Sequence, residues 1–275
     1  MAIRTDLAEE AHSLWEKSSG TTTKLLGVKA RQWTQDGVRH HEVNILDEEG
    51  EKALGKPRGR YETIWVSRDG RPTPEVIEAL GTLLVQMLHL GPEESLLVVG
   101  LGNRAMTPDA VGPLTLRGLI ITRHLRQSLP QVFSDVPSVS ALEPGVLGTT
   151  GMESAEIVKS VVKATKPDRV LVVDALAAGE SDRLCRVVQV TDAGIVPGSG
   201  VGNSRAAFSE KTLGVPVIAV GVPTVMDAGT KDAPLLVTDR DIDARVRRLS
   251  SLISAGIHRA VFPQWSAEEI AQFVD

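Results

Sequence analysis

Three runs of unbroken apolar residues stand out from an otherwise mixed chain: residues 96–99 (LLVV), 169–174 (RVLVVD) and 215–222 (VPVIAVGV). A strand buried on both faces has no polar side to alternate with, so these runs predict core strands of a helix-covered sheet. Between them the period changes. Over residues 73–90, Val76, Leu80, Leu83, Leu84, Met87 and Leu88 recur at helical spacing, and Gly91-Pro92 closes the element. Helices are also predicted over residues 6–17, where Leu7, Ala11 and Leu14 share a face, and over 110–127, 152–165, 203–213, 239–256 and 267–274. Shorter strands are predicted over 28–33, 38–46, 61–66, 136–142 and 184–190. Charge or glycine replaces periodicity over 47–60, 143–151 and 191–202, which read as loops.

Strands that alternate with helices imply right-handed crossovers and a parallel arrangement. The expected fold is a single α/β domain over residues 1–275, with a mostly parallel central sheet and helices on both faces, in the manner of phosphorylase- or hydrolase-like folds. Strands within residues 28–66 are expected to add a small antiparallel extension.

Composition narrows the function classes. The chain has 275 residues, 42% apolar and 24% charged, ordinary for a globular protein. Its net charge of −5 offers no electrostatic basis for direct nucleic-acid binding. No apolar run approaches the ~18 residues of a membrane span, and the N-terminus carries acids early, unlike a signal peptide. Cys185 is the single cysteine, so no intrachain disulfide forms, a cytoplasmic setting is expected, and a buried structural thiol is the favoured reading.

The chemistry concentrates where apolar runs stop. After residues 96–99 comes Gly100-Leu101-Gly102-Asn103, then Thr107-Pro108-Asp109-Ala110, which reads as a helix start with a capping hydroxyl and proline in the first turn. The run 169–174 ends on Asp174. In open α/β sheets, sites form at the carboxyl ends of strands. Two carboxyls that meet there cannot both ionise easily. One then holds a proton and polarises a carbonyl while the other activates water. Asp109 as a plain helix cap and Asp174 as a turn residue are the alternative reading. The glycine loops lack a complete dinucleotide or Walker signature, leaving an oxyanion cradle or simple tight turns. The six histidines, His12, His40, His41, His89, His124 and His258, form no metal-ligand spacing and read as exposed or helix-face residues.

Six blocks carry a resemblance: residues 4–11 (RTDLAEEA), 98–113 (VVGLGNRAMTPDAVGP), 142–154 (LEPGVLGTTGMES), 172–179 (VVDALAAG), 189–205 (QVTDAGIVPGSGVGNSR) and 215–228 (VPVIAVGVPTVMDA). Together they resemble the germination proteases, the spore endopeptidases of endospore-forming bacteria. The resemblance implies an atypical aspartic endopeptidase that uses no cofactor or metal and degrades small acid-soluble spore proteins, with Asp109 and Asp174 as its catalytic pair. Asn103, Gly198, Ser199 and Asn203 are expected to shape the substrate site. The family is made as a zymogen that cleaves itself at a T-D/L-A motif. This motif is similar to Thr5-Asp6-Leu7-Ala8 here, which implies a cut between Asp6 and Leu7 and residues 1–6 as a candidate short propeptide. A homo-oligomer, tetramer or dimer, in the cytoplasm of the forespore or spore core is implied as well, with no membrane partner. A second resemblance is to hydrogenase maturation endopeptidases, through G-x-G-N followed by an acid and a strand-end Asp-Ala. There two acids and a histidine hold nickel, and no histidine follows here in a matching block. A non-catalytic module that binds spore proteins is the reading from outside the enzymes.

Overall fold

The computed structural model describes residues 5–19, 25–67, 69–202, 205–229 and 235–273. Among these residues, nine strands form one sheet. In chain order they are β1 (Val28–Gln35), β2 (Val38–Ile45), β3 (Gly59–Trp65), β4 (Ser95–Gly100), β5 (Ser138–Leu142), β6 (Arg169–Ala178), β7 (Val187–Thr191), β8 (Val217–Asp227) and β9 (Leu236–Val237). Their order across the sheet is β1-β2-β3-β7-β8-β6-β4-β5, with β9 paired to β8.

The apolar runs behave as their pattern requires. β8, β6, β4 and β5 are mutually parallel. Successive side chains of a strand point to opposite faces. Thus Leu96, Val98, Leu171, Val173, Ile218 and Val220 join one core, and Leu97, Val99, Val170, Val172 and Val217 join another. Helix α3 (Pro74–Leu88), helix α4 (Val111–Arg117) and the long helix Ile242–Val261 cover the first face. The helix Ser154–Thr165, through Val158 and Val162, and Phe208 and Leu213 cover the second.

A mostly parallel sheet, however, is not what forms. The pairs β1–β2, β2–β3, β3–β7, β7–β8 and β8–β9 are all antiparallel, so the sheet is mixed. Connection geometry is the reason. A parallel return needs a crossover of a dozen or more residues, and the link between β6 and β7 covers only residues 179–186, so the chain must reverse. Between β1 and β2 lies Asp36-Gly37, both at positive φ (50° and 78°), as a two-residue hairpin turn demands.

Three predicted elements change. Residues 47–60 are not all loop: α2 (Glu48–Leu54) forms, its first backbone amides at Glu49 and Gly50 donating to the Asp47 carboxylate, and Gly55 ends it at φ 63°. The acids that looked like loop composition complement the positive end of the helix. Asp47→Ala is expected to cost about 1 kcal/mol, read as a lower urea midpoint. The helix predicted over 110–127 breaks: α4 stops at Gly118, and the Ile120 amide donates to His258 Nε2 (3.1 Å) before a second helix begins at Arg123. Of residues 205–213, the described part of the helix expected over 203–213, only Glu210–Leu213 is helical, because Phe208 pairs instead with Ile195 through two backbone hydrogen bonds.

Candidate active site

β4 ends at Gly100, opposite Val173 of β6, and the Leu101 amide donates to the Val173 carbonyl (2.8 Å). The chain then folds back on itself. Gly102 sits at φ 113°, and a Cβ there would lie 1.9 Å from the carbonyl oxygen of Asp109, so only glycine closes this turn. Thr107–Asp109 forms a single 3₁₀ turn in place of the expected helix start, and α4 follows from Val111. Thr107 ties the turn to the long helix by donating to Asp243 (2.9 Å). Asp109, half-buried, accepts the Asn103 amide at 2.7 Å. Burial raises its pKa, and that hydrogen bond partly offsets the rise.

Asp174 lies one step past the last β4–β6 pair, in register with Gly221 of β8. Beyond Gly100, β4 has no residue to set beside it. The strand does not end there as its sequence suggested: residues 175–178 continue β6 because β8 continues alongside. Asp174 is 5% exposed. Its pKa is pushed well above the carboxylate range, first by burial, then by the charge of Asp109, then by that of Asp6. The charge of one aspartate named from the sequence thus helps to hold the other in its protonated form.

Asp6 adds a third acid. Residues 5–10 dock along the far end of β6. The Asp6 amide donates to the Ala177 carbonyl (2.9 Å), and Gln189 brackets the next bond, accepting from the Ala8 amide (2.8 Å) and donating to the Asp6 carbonyl (3.3 Å). Leu7 is fully buried against Leu176, Ala178 and Val187. Helix α1 (Ala8–Ser19) is anchored by its first two acids. Glu10 accepts from the amides of Gly179 (2.7 Å) and Glu180 (2.6 Å). Glu9 pairs with His41 Nδ1 (2.9 Å) and accepts from Arg183 Nε (3.1 Å). Burial works to raise the Glu9 pKa, and these partners together override it and hold the group below its ordinary value.

A cavity of about 1070 Å³ opens between α1, the segment 52–57, β7, β8 and the loop 193–199. Leu176 and Gly221, next to Asp174 along and across the sheet, line it, as do Asp6 and Ser199. Of the other residues expected to shape the site, Gly198 takes the left-handed conformation (φ 74°) that turns the chain into Ser199. Asn103 turns its side chain back to accept the Ala105 amide (3.0 Å) and lines a smaller recess with Arg104 and Glu143. Asn203 lies outside the described residues. Three further side chains meet the docked segment: Gln189, the first residue of the block 189–205, and Lys56 and Arg183, which carry no local motif and are brought in only by the fold.

Cys185 precedes β7 rather than lying in a strand; it is buried, and burial pushes its thiol up to about 12. His40 and His41 are buried on β2, neither exposed nor on a helix face, whereas His258 does lie on a helix, the long one, and is buried there. Among the described residues no group of three His, Cys, Asp or Glu side chains is placed to hold a metal ion, so the two-acid, one-histidine set of the second resemblance is not assembled there. No helix among them is long and apolar enough to cross a membrane.

The model of the germination protease family matches residues 5–234, a span that contains Asp6, Asp109, Asp174 and the glycine-rich loop. The chain belongs to the germination protease family. A germination protease of Caldanaerobacter subterraneus subsp. tengcongensis is 38% identical over all of this chain and 98% of its own length. That of Clostridium tetani is 36% identical over the full length of both. That of Bacillus licheniformis is 42% identical over 83% of this chain and 64% of its own. As a member of the family, the chain is a hydrolase, an endopeptidase of spore germination.

Proposed function

We propose that this protease cleaves small acid-soluble spore proteins by an atypical aspartic mechanism in which Asp109 and Asp174 share the work. The observation that carries this reading is the coupled pair. Asp174 is buried and its pKa is raised well above its ordinary value, which favours its protonated form, whereas Asp109 is half-buried and accepts a backbone amide as a carboxylate does. Asp109 takes a proton from water, whose oxygen attacks the scissile carbonyl carbon. The Asp174 proton hydrogen-bonds the developing oxyanion. When the tetrahedral intermediate collapses, the proton gained by Asp109 passes to the departing amine nitrogen. The germination protease resemblance also supports a homo-oligomer, dimer or tetramer, in the spore core, which sedimentation of the purified chain measures.

The docked N-terminal segment supports self-processing. Thr5-Asp6-Leu7-Ala8 lies along β6, with Asp6 close enough to act on Asp174. The chain is expected to cut itself between Asp6 and Leu7, leaving Leu7 as the first residue. N-terminal sequencing of the chain after incubation, alongside its ability to degrade a purified small acid-soluble spore protein, tests both parts. A fully active enzyme that still begins at Met1 or Ala2 removes the self-processing step. A wild-type chain that leaves the spore protein intact removes the substrate assignment.

A further inference from the structure

We propose that Arg39, Arg183 and Arg186, gathered around the ring of Trp65, form a binding site for a small dianion of the phosphate class. The site shares no residue with the proposed catalytic pair or with the cavity beside Asp174, and it stands whether or not the chain cuts peptides. Three adjacent strands build it. His40 of β2 pairs with Ile64 of β3, and Trp65, the next residue of β3, pairs with Val187 at the start of β7. Arg39 and Arg186 immediately precede His40 and Val187, so the same end of the sheet delivers both to the ring. Arg183 comes from the link between β6 and β7. That link is held in place by the Arg186 amide, which donates to the Arg183 carbonyl (3.0 Å), and by the Arg186 carbonyl, which accepts the Val66 amide (2.9 Å). The Arg39 guanidinium carbon lies 3.4 Å from the Trp65 ring centroid, that of Arg186 5.7 Å and that of Arg183 5.8 Å.

An indole ring attracts each of these cations, but the cations repel one another. Burial lowers the Arg39 pKa, and the charges of Arg183 and Arg186 add to that effect against the pull of Glu9 and Asp182. Arg183 is balanced by Glu9 (3.1 Å), Glu180 (2.6 Å) and Asp182 (2.5 Å). Arg39 and Arg186 are not. Among the described residues neither side chain has an ion pair or a hydrogen bond, and the Nε of Arg186 is buried without an acceptor. Leaving such a donor unpaired costs free energy that an arriving oxygen returns. Guanidinium forks fit the oxygens of carboxylate and phosphate alike, so charge decides between them. Two guanidiniums lack a counter-charge. A phosphate carries roughly two negative charges near neutral pH, whereas a carboxylate carries one and leaves an arginine over. The buried position of the Arg186 Nε calls for a ligand small enough to reach it.

The test titrates the full-length chain with inorganic phosphate at neutral pH and constant ionic strength, so that general screening does not change along the titration. Calorimetry reads the binding, and thermal melts with and without phosphate read its linkage to folding. One saturable site and a higher melting temperature in phosphate are expected. Arg39→Met is expected to weaken binding by about tenfold or more, as the loss of a charged hydrogen-bonding partner implies. Arg186→Lys keeps the charge but removes the buried Nε, and is expected to weaken binding severalfold. Melting without phosphate checks that each variant is folded, and Arg39 is exposed enough to be replaced safely. Arg71→Met, an exposed arginine paired with Asp69, is expected to bind as the wild type does. Acetate at the same ionic strength is expected not to displace phosphate. The absence of saturable binding overturns the site, as does a folded Arg39→Met chain that binds like the wild type. An equal loss in Arg71→Met would show a response to net charge alone and overturn it too. Acetate that displaces phosphate at equal concentration overturns the choice of a dianion.

Discussion

Asp174→Asn is expected to lower peptide cleavage by about a thousandfold and, at neutral pH, to raise the melting temperature. The loss follows from removing the proton that polarises the scissile carbonyl, a contribution worth roughly 10²–10⁴-fold in comparable acid–base roles. The gain follows from linkage. In the unfolded chain Asp174 ionises in the ordinary carboxylate range; in the fold its pKa lies well above it. Between those two values the native state binds more protons than the unfolded one, so stability falls as pH rises through that window. Asparagine keeps an oxygen to accept the Ala175 amide, a hydrogen bond of 2.9 Å here, and has no charge to bury. The stability advantage of the variant should therefore be negligible at pH values below the ordinary carboxylate range and grow as pH rises toward neutrality. Asp109→Asn should lose activity to a similar degree with a smaller gain, because Asp109 is less buried and its amide partner favours the charged form. Thermal melts across pH, run beside a cleavage assay, check both halves. Cleavage within tenfold of wild type, or a melting-temperature difference independent of pH, would show that Asp174 is not the proton-holding member of the pair.

Gly112→Ala should destabilise the fold by about 3 kcal/mol or more and take the activity with it. The direction opposes helix propensity, since alanine is favoured over glycine within a helix by about 1 kcal/mol. Packing decides. A Cβ on Gly112 would lie 2.3 Å from the Leu101 carbonyl oxygen and 2.6 Å from both the Leu101 nitrogen and the Val173 oxygen. All three are backbone atoms, and the Leu101 amide and Val173 carbonyl are the partners that bind the end of β4 to β6. Nothing there can swing aside, so relief means pushing α4 off the junction of β4 and β6 from which both aspartates are positioned. Gly148→Ala is the control, because no atom lies within 4 Å of its added Cβ. A Gly112→Ala chain with a wild-type urea midpoint would mean that α4 yields without disturbing the strands.

What could be read from the sequence was what neighbouring residues decide among themselves. The runs at 96–99, 169–174 and 215–222 became β4, β6 and β8 because a strand apolar on both faces can only lie inside. The helical spacing over residues 73–90 became α3, which runs from Pro74 to Leu88 behind a Thr73 cap. Pairing direction is different, since alternation along β3 or β7 says which face is buried and nothing about which neighbour arrives or from where. β3 pairs with β7 across the whole parallel half of the chain, and no local pattern marks that union. The site divides in the same way. Asp109 follows a strand and a glycine turn, and Asp174 closes an apolar run, both recognisable in the sequence. Lys56 stands in the connection after α2, among charges that resembled loop composition, and reaches Thr5 only once β3 and β7 have joined.

That union also imposes an order in time on a chain made from its N-terminus. About 120 residues separate β3 from the strand that completes its edge. At roughly 5–20 residues per second of synthesis, the β1–β3 meander waits some 6–24 s on the ribosome with its inner edge open. The wait is longer still for Asp6, Leu7 and Ala8, which lean on Ala177, Gln189 and Ser199. Made before their partners, they are among the last to find a place, so this segment cannot dock before β6, the strand bearing Asp174, exists.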